Sequence, residues 1–342
     1  MRAVRIHTDG GPEVLRIDEL EVPEPGLGQA LVRMRSSALN HLDVWVRKGL
    51  PSVPKPRTLG ADGAGIVEVV GTHARGVEVG MAVCINPGIS CGRCRYCLSG
   101  EQSLCLQFGV LGEHLDGTHA DYAVVPASNL APVPDGLGFD EAAAFPLVFS
   151  TAWRMLITKA QVRPGEWVLV WGIGSGVASA ALELCRVVGA RAIVTSSSDA
   201  KLERARQSGA EATINHARDD VADAVRTITR GRGVDVVVEH VGKATWGTSI
   251  DVLRKGGRLA ITGATTGGNP PAGLHRIFWK QLTIHGSTMA SDSEFRAVCN
   301  LMATGKVRPV VDSVLPLEQV AAAHARLEAG EHFGKIVLRI SE

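Results

Sequence analysis

No window of the sequence reaches eighteen consecutive apolar residues, so no membrane-spanning helix is expected. The first residues, Met1-Arg-Ala-Val-Arg-Ile-His7, run into an acidic, proline-bearing stretch without the apolar segment of a secretory leader. A cytoplasmic location is expected. No basic run of five or more residues occurs, and 36 Lys and Arg stand against 35 Asp and Glu. This balance argues against nucleic acid or an anionic membrane surface as partners and leaves a small molecule. Internal repeats and low-complexity tracts are missing too, which excludes solenoids and disordered tails. What is present is an ordinary globular composition, 45% hydrophobic and 21% charged, over 342 residues. That length fits two domains of roughly 150 to 200 residues each.

The texture of the chain changes once. Up to about residue 125 it consists of short alternating segments punctuated by Gly and Pro: 14–17, 30–34, 65–70, 82–86 and 122–125. This predicts β structure. From Trp167 apolar runs (167–171, 192–195, 234–239, 258–262) alternate with helix-period segments (178–188, 201–208), the pattern of βαβ units and a parallel sheet. Beyond Gly286 two helical segments, 294–303 and 317–328, precede a closing strand, 335–340, and this tail is expected to return to the first domain.

Four of the seven cysteines lie in Cys91-Gly-Arg-Cys94-Arg-Tyr-Cys97 followed by Cys105. Such spacing can close a tetrahedral thiolate shell around Zn²⁺; the alternative is a pair of disulfides, which a cytoplasmic chain disfavours. Four thiolates leave no open coordination position, so the metal is expected to be structural. Cys84, Cys185 and Cys299 lie apart and are expected to pack as small buried hydrophobes.

The segment Val168-Leu-Val-Trp-Gly172-Ile-Gly174-Ser175-Gly176-Val177-Ala178 reads as a strand, a glycine turn and a helix start. A turn between any strand and helix can carry glycines. Here a second strand follows as a βαβ unit requires, so the turn is read as a pyrophosphate site against a helix N-terminus. The contacts expected are Gly174, Ser175, Gly176 and Val177. An acid at the end of the second strand would pair with the ribose 2′-hydroxyl of NAD; this chain has Thr195-Ser196-Ser197-Ser198, and Asp199 reads as a helix N-cap. Ser196, Ser197 and Lys201 could instead hold the 2′-phosphate of NADP(H).

Together these pieces resemble the medium-chain dehydrogenase/reductase superfamily, the zinc alcohol dehydrogenases and quinone oxidoreductases. The residues that carry the resemblance are Gly11-Pro-Glu-Val-Leu, Leu39-Asn-His-Leu-Asp43, Leu59-Gly-Ala-Asp-Gly-Ala-Gly65, the four cysteines, Gly117-Thr-His-Ala-Asp-Tyr122, the glycine turn and Gly334-Lys-Ile-Val-Leu338. The resemblance implies a GroES-like β domain of residues 1–149 and 287–342, with its zinc lobe at about 88–108, and a Rossmann domain of residues 150–286. It also implies a homodimer or homotetramer, and Gly263 and Lys335 join the expected cofactor contacts.

Zinc alcohol dehydrogenases of this family ligate a catalytic zinc at positions that here look like Asn40, Gly60-Ala61-Asp62 and Leu147, and their proton relay falls on Leu42 and Trp45. Those residues cannot build the site. The surrounding stretch looks more like the zinc-free quinone oxidoreductases and enoyl reductases. The expected function is therefore NADPH-dependent reduction of quinones or activated C=C bonds with one structural zinc per chain. The expected catalytic residues are Asn40, donating its amide N–H to a substrate carbonyl, Asp62, orienting Asn40 or a water, and Thr151, a hydroxyl near the nicotinamide. Asn40 also reads as a loop residue satisfying backbone groups, and Asp62 as a leftover of a metal shell. His114 and His119 could reach the cleft or be structural. No tyrosine is placed as an acid, so water is the expected proton source. Two rivals are a zinc alcohol dehydrogenase with an atypical site of His41, Asp62 and a loop His, and a non-catalytic NADPH-binding sensor.

Overall fold

A computed structural model describes residues 1–51 and 53–341. The chain forms two compact units, Met1–Ser150 with Met289–Glu342, and Thr151–Thr288.

The first unit is built on a seven-stranded sheet in the order Leu130–Pro132, Ala82–Ile85, Asp62–Val70, Gln29–Ala38, Lys335–Arg339, Val311–Pro316, with Tyr122–Pro126 also paired to Gln29–Ala38. Val32, Met34, Val67, Val83, Ile85 and Leu338 fill its core. The closing strand runs antiparallel to Gln29–Ala38 with Val337 opposite Ala38, while on the other side Asp62 lies opposite Ala38. This register brings residues some three hundred positions apart in sequence to one end of the sheet.

The all-β expectation for this region fails at His41–Gly49, which is a helix. Its first turn is closed by Asp43, whose carboxylate accepts the backbone N–H of Asn40 at 2.7 Å, and Arg47 and Lys48 complement the helix dipole in the last turn. Arg47 is nevertheless fully buried, donating to Gly10 O and His324 Nδ1 and pairing with Glu328.

The second unit holds a six-stranded parallel sheet in the order Ala212–Asn215, Arg191–Ser196, Trp167–Val170, Val234–Glu239, Leu253–Ile261, Thr283–Gly286. Numbered along the chain, that order is 3-2-1-4-5-6, the doubly wound arrangement whose ligand crevice opens at the carboxyl ends of strands 1 and 4. The helix Gly176–Val188 packs on it through Ala178, Ala181, Leu182 and Cys185, spaced i, i+3, i+4, i+7. Ser175 caps that helix by accepting from Ala178 N, and Gly189, at φ 80°, ends it. Among the described residues no helix is long and apolar enough to cross a membrane.

Candidate active site

At the end of the first unit's sheet, strand register dictates a polar cluster. Leu39 N donates to Ile336 O, so the next residues outward, Asn40 and Lys335, face each other across the strand pair. The Lys335 ammonium donates to Asn40 Oδ1 and to Asp62 Oδ2, the latter at 2.9 Å. Asn40 Nδ2 donates to Asp62 Oδ2 at 3.0 Å and to Ala38 O at 3.3 Å. Leu147 N donates to the other carboxylate oxygen at 2.8 Å. The ion pair lies out of water, with side-chain exposure of 4% for Lys335 and 0% for Asp62. Lys335, expected at the cofactor, gives two of its three N–H groups to Asn40 and Asp62. One expectation changes here. Asn40, expected to offer its amide N–H to a substrate, has already spent both amide hydrogens.

Ala61 packs with Val110 and Met289 in a small apolar cluster joined by Leu42, Phe108 and Leu147. Two positions at which the zinc alcohol dehydrogenases would carry ligands, Ala61 and Leu147, thus meet as apolar side chains beside the Asp62 carboxylate. Asp43 accepts from Asn40 N and Gly60 N at 2.7 and 2.9 Å, and burial pushes its carboxyl up to about 6 despite these bonds.

His119 is fully buried, its Nδ1 2.7 Å from Ser37 Oγ. Burial, and secondarily the charge of Lys335, push its imidazole down to about 3, so it stays neutral and supplies no proton at physiological pH. The Ser37 and Thr118 hydroxyls both donate to Asp62 O, at 2.7 and 2.6 Å. His114 accepts from Val110 N within its own turn. Neither histidine is joined with His41 and Asp62 in a metal-ligating group: among the described residues the only group of three or more His, Cys, Asp or Glu suited to a metal is the four cysteines.

The sulfurs of Cys91, Cys94, Cys97 and Cys105 all lie within 4.8 Å of one another. The Cys91–Cys97 and Cys94–Cys97 separations are 3.9 and 3.6 Å. A tetrahedron of Zn–S bonds near 2.3 Å has an edge of about 3.8 Å, so the donor set fits zinc. Backbone N–H groups aim at the sulfurs: Cys91 N and Gln107 N donate to Cys105 Sγ, and those of Cys97 and Leu106 hold Cys94 down at about 6. Burial pushes Cys97 up to about 11. The remaining cysteines are buried as expected, and two of them meet: Cys84 and Cys299 lie together, the neighbouring thiol and burial holding Cys84 well above its usual range, whereas Cys185 is raised to about 12 by burial alone.

In the second unit Gly172 and Gly174 adopt φ of 60° and 108°, the left-handed region that lets the turn fold back before the helix. Thr195, fully buried, fastens that turn: its carbonyl accepts Ile173 N at 2.7 Å and its hydroxyl accepts Gly172 N at 3.2 Å. The Gly176 and Val177 backbone opens the helix, and Gly263, at φ 77°, follows the strand Leu253–Ile261. These features fit a dinucleotide at the carboxyl edge of the sheet.

Ser198 rather than Asp199 caps the next helix, accepting from Lys201 N. Asp199 sits one residue inside and is bound by Asn215 Nδ2 and, bidentately, by Arg218, which hold its carboxyl below the usual range. Ser196 is buried with its hydroxyl accepting Ser198 N, while Ser197 is exposed. Thr151 opens the second unit with its hydroxyl buried and unpartnered among the described residues.

Sequence reasoning missed Glu239 and His240. Glu239, fully buried, accepts from Val241 N, Gly242 N and the hydroxyls of Thr245 and Ser249, fixing the turn after strand 4; His240 Nε2 lies 2.8 Å from Trp171 O beside Gly172. An acid closing an otherwise apolar strand end, Val236-Val-Val-Glu239, was the available signal.

Comparison with known proteins agrees with this architecture. Residues 26–135 match the alcohol dehydrogenase GroES-like domain and residues 176–304 the zinc-binding dehydrogenase domain. A zinc-type alcohol dehydrogenase-like protein of Schizosaccharomyces pombe is 36% identical over 96% of both chains. The chain belongs to the zinc-type alcohol dehydrogenase, or medium-chain dehydrogenase/reductase, family. It is an oxidoreductase of the medium-chain type. Within that family a quinone oxidoreductase of Pongo abelii is 30% identical over 99% of this chain and 97% of its own. A solved structure of an NAD-dependent alcohol dehydrogenase superposes with a TM-score of 0.96 at 48% identity over the full length of both chains.

Proposed function

We propose that this family member is an NADPH-dependent reductase of quinones or activated carbon–carbon double bonds, enones and enoyl thioesters, that uses no catalytic metal and keeps one structural zinc on Cys91, Cys94, Cys97 and Cys105. The observation that carries this reading is the surroundings of Asp62. Asn40 there binds an ammonium, and Ala61 and Leu147 pack as apolar groups, where an alcohol dehydrogenase would place metal ligands.

Oxidising an unactivated alcohol requires removal of its proton, which this family achieves through a zinc-bound alkoxide. Leu42 and Trp45, at the relay positions, carry no group to pass the proton on. A bound nicotinamide supplies the hydride. What the chain must then supply is stabilisation of the charge that develops on a conjugated oxygen, a task for one or two fixed donors. Asn40, Asp62 and Lys335 form the polar end of that site. NADPH consumption is expected with some member of a panel of quinones, enones, enoyl thioesters and aldehydes, the first three being favoured. Rapid zinc-dependent oxidation of simple primary alcohols would overturn the reading.

The preference for NADPH rests on the second strand ending in Ser196-Ser197 and on Asp199 being neutralised by Arg218, which leaves no free acid for a ribose 2′-hydroxyl. Lys201 stands in the same turn of the following helix. The Ser196→Asp variant is expected to reverse the preference, raising the NADPH dissociation constant roughly tenfold or more while improving NADH binding. Wild-type protein that binds NADH as tightly as NADPH contradicts this part.

The protein is proposed to assemble with copies of itself through the sixth strand of the second unit. Among the described residues Thr283–Gly286 is paired on one side only, and the helix before it exposes Leu274 (70%), Phe278 (63%) and Trp279 (67%). An open strand edge flanked by large apolar side chains is a template for a second copy related by a two-fold axis. Sedimentation is expected to show a dimer or tetramer for the wild type and a smaller species for Phe278→Asp with Trp279→Asp; an unchanged mass in the variant removes this edge from the interface.

A further inference from the structure

We infer that Lys335 is a catalytic residue, whose ammonium donates a hydrogen bond to the oxygen on which negative charge develops as substrate is reduced. The inference rests on the reading of the substrate as a conjugated carbonyl or quinone.

A donor inventory leads to it. An ammonium has three N–H groups. Those of Lys335 go to Asn40 Oδ1 and Asp62 Oδ2, and the third has no acceptor among the described residues. A buried donor without a partner is costly, and most costly when charged. The neighbouring polar groups have nothing to spare. Both amide hydrogens of Asn40 are taken by Asp62 and Ala38, and the Ser37 and Thr118 hydroxyls are committed to Asp62 O. His119 is neutral, and because the Ser37 hydroxyl donates to Asp62 O its one N–H is on Nδ1 facing Ser37 Oγ, so its unpartnered Nε2 carries a lone pair and no hydrogen. The spare hydrogen at this end of the sheet therefore belongs to the ammonium.

The rest of the cluster holds it still. Asp62 is clamped by Leu147 N on one oxygen and by Asn40 and Lys335 on the other, so the ammonium is fixed before substrate arrives, as electrostatic stabilisation of a transition state requires. A charged donor is about twice as strong as a neutral amide. Lys335 thus takes the polarising part that Asn40 was expected to play, and Asn40 becomes a positioning residue that orients it.

The step balances without proton loss from the lysine. Hydride from NADPH adds to the far carbon of the double bond, the cofactor leaving as NADP⁺. The π electron pair moves onto the oxygen as an enolate, to which Lys335 donates a hydrogen bond while keeping its proton. The near carbon then takes a proton from water, leaving hydroxide.

The test compares wild type with Lys335→Met and with the double variant Lys335→Met/Asp62→Asn, in which no buried charge is orphaned. Substrates are 2-cyclohexenone, 1,4-benzoquinone and crotonyl-coenzyme A. A second readout is calorimetric binding of dimedone, a cyclic 1,3-diketone that is an enolate at neutral pH, to the protein with NADP⁺. In the double variant kcat is expected to fall roughly a hundredfold to a thousandfold while the NADPH dissociation constant stays put, and dimedone binding is expected to vanish. A purely structural lysine would leave kcat intact once the pair of charges is removed, so wild-type kcat in the folded double variant overturns the inference. If wild type reduces none of the three substrates, dimedone decides. Binding that is lost in the double variant upholds Lys335 while the proposed function fails, and no binding to wild type overturns the inference as well.

Discussion

Serine in place of Cys105 is expected to release the zinc and unfold the segment around it, while the rest of the first unit stays folded. The lobe has little else to hold it. Among the described residues its regular elements are a two-stranded pair, Gly88–Ile89 with Gly109–Val110, a one-turn helix, Arg95–Leu98, and a single 3-10 turn, Gln102–Leu104. Leu98, Leu104 and Leu106 face solvent, so its apolar residues build no core of their own. Structural zinc sites contribute apparent binding energies of about 10 to 16 kcal/mol, as large as the stability of a whole domain at about 5 to 15 kcal/mol. Removing one of four thiolates opens the shell, and removing Cys105 also takes away the acceptor for the N–H groups of Cys91 and Gln107. The sheet, by contrast, keeps its core of Val32, Val67, Val83 and Leu338, none of which belongs to the lobe. Elemental analysis is expected to give about one zinc per wild-type chain and none in the variant. Trypsin is expected to cut after Arg93 or Arg95 only in the variant. A Cys105→Ser protein that retains its zinc contradicts the assignment, and two tightly held zincs in wild type contradict a metal-free active site.

Local pattern and long-range pairing were unequally legible in the sequence. The glycine turn, the strand Val234–Glu239 and the cysteine spacing are short-range features, and the fold follows them closely, the helix after the first parallel strand starting at Gly176 beside the expected Ala178. The helix His41–Gly49 was hidden because it is short and because its start is closed by Asp43 reaching back to Asn40, a capping device embedded in a stretch that also carries the resemblance to a metal site. Lys335 was hidden as an ion-pair partner for a different reason. Its partners are 273 and 295 residues away, and only the strand order fixes which of them it meets. A lysine opening the apolar strand Lys335–Arg339 was the one visible sign that a buried anion waits for it. The same holds for Cys84 with Cys299 and for Arg47 with His324, pairs made by tertiary packing that no periodicity marks.

The Asp62→Ala variant is expected to be among the least stable single variants of the chain. Breaking a buried ion pair by deleting one partner costs about 3 to 5 kcal/mol, because the other charge stays out of water with no counter-charge. Lys335 would keep only Asn40 Oδ1, and Leu147 N–H and Asn40 Nδ2 would lose their acceptor as well. Each unsatisfied buried group adds to the loss. For a unit of this size such a change is expected to lower Tm by roughly 5 to 15 °C. The effect belongs to the orphaned ammonium more than to the absent carboxylate, and a double-mutant cycle separates the two. Replacing a whole buried pair by uncharged groups of similar volume is often close to neutral. Lys335→Met/Asp62→Asn is therefore expected to recover most of the stability that Asp62→Ala forfeits, and the cycle it closes with Asp62→Asn alone and Lys335→Met alone is expected to give a coupling energy of about 2 kcal/mol or more in urea unfolding. Additive losses in that cycle would mean that the two side chains do not sense each other. The ammonium would then not be held by Asp62, and the fixed donor on which the proposed reduction depends would be lost with it.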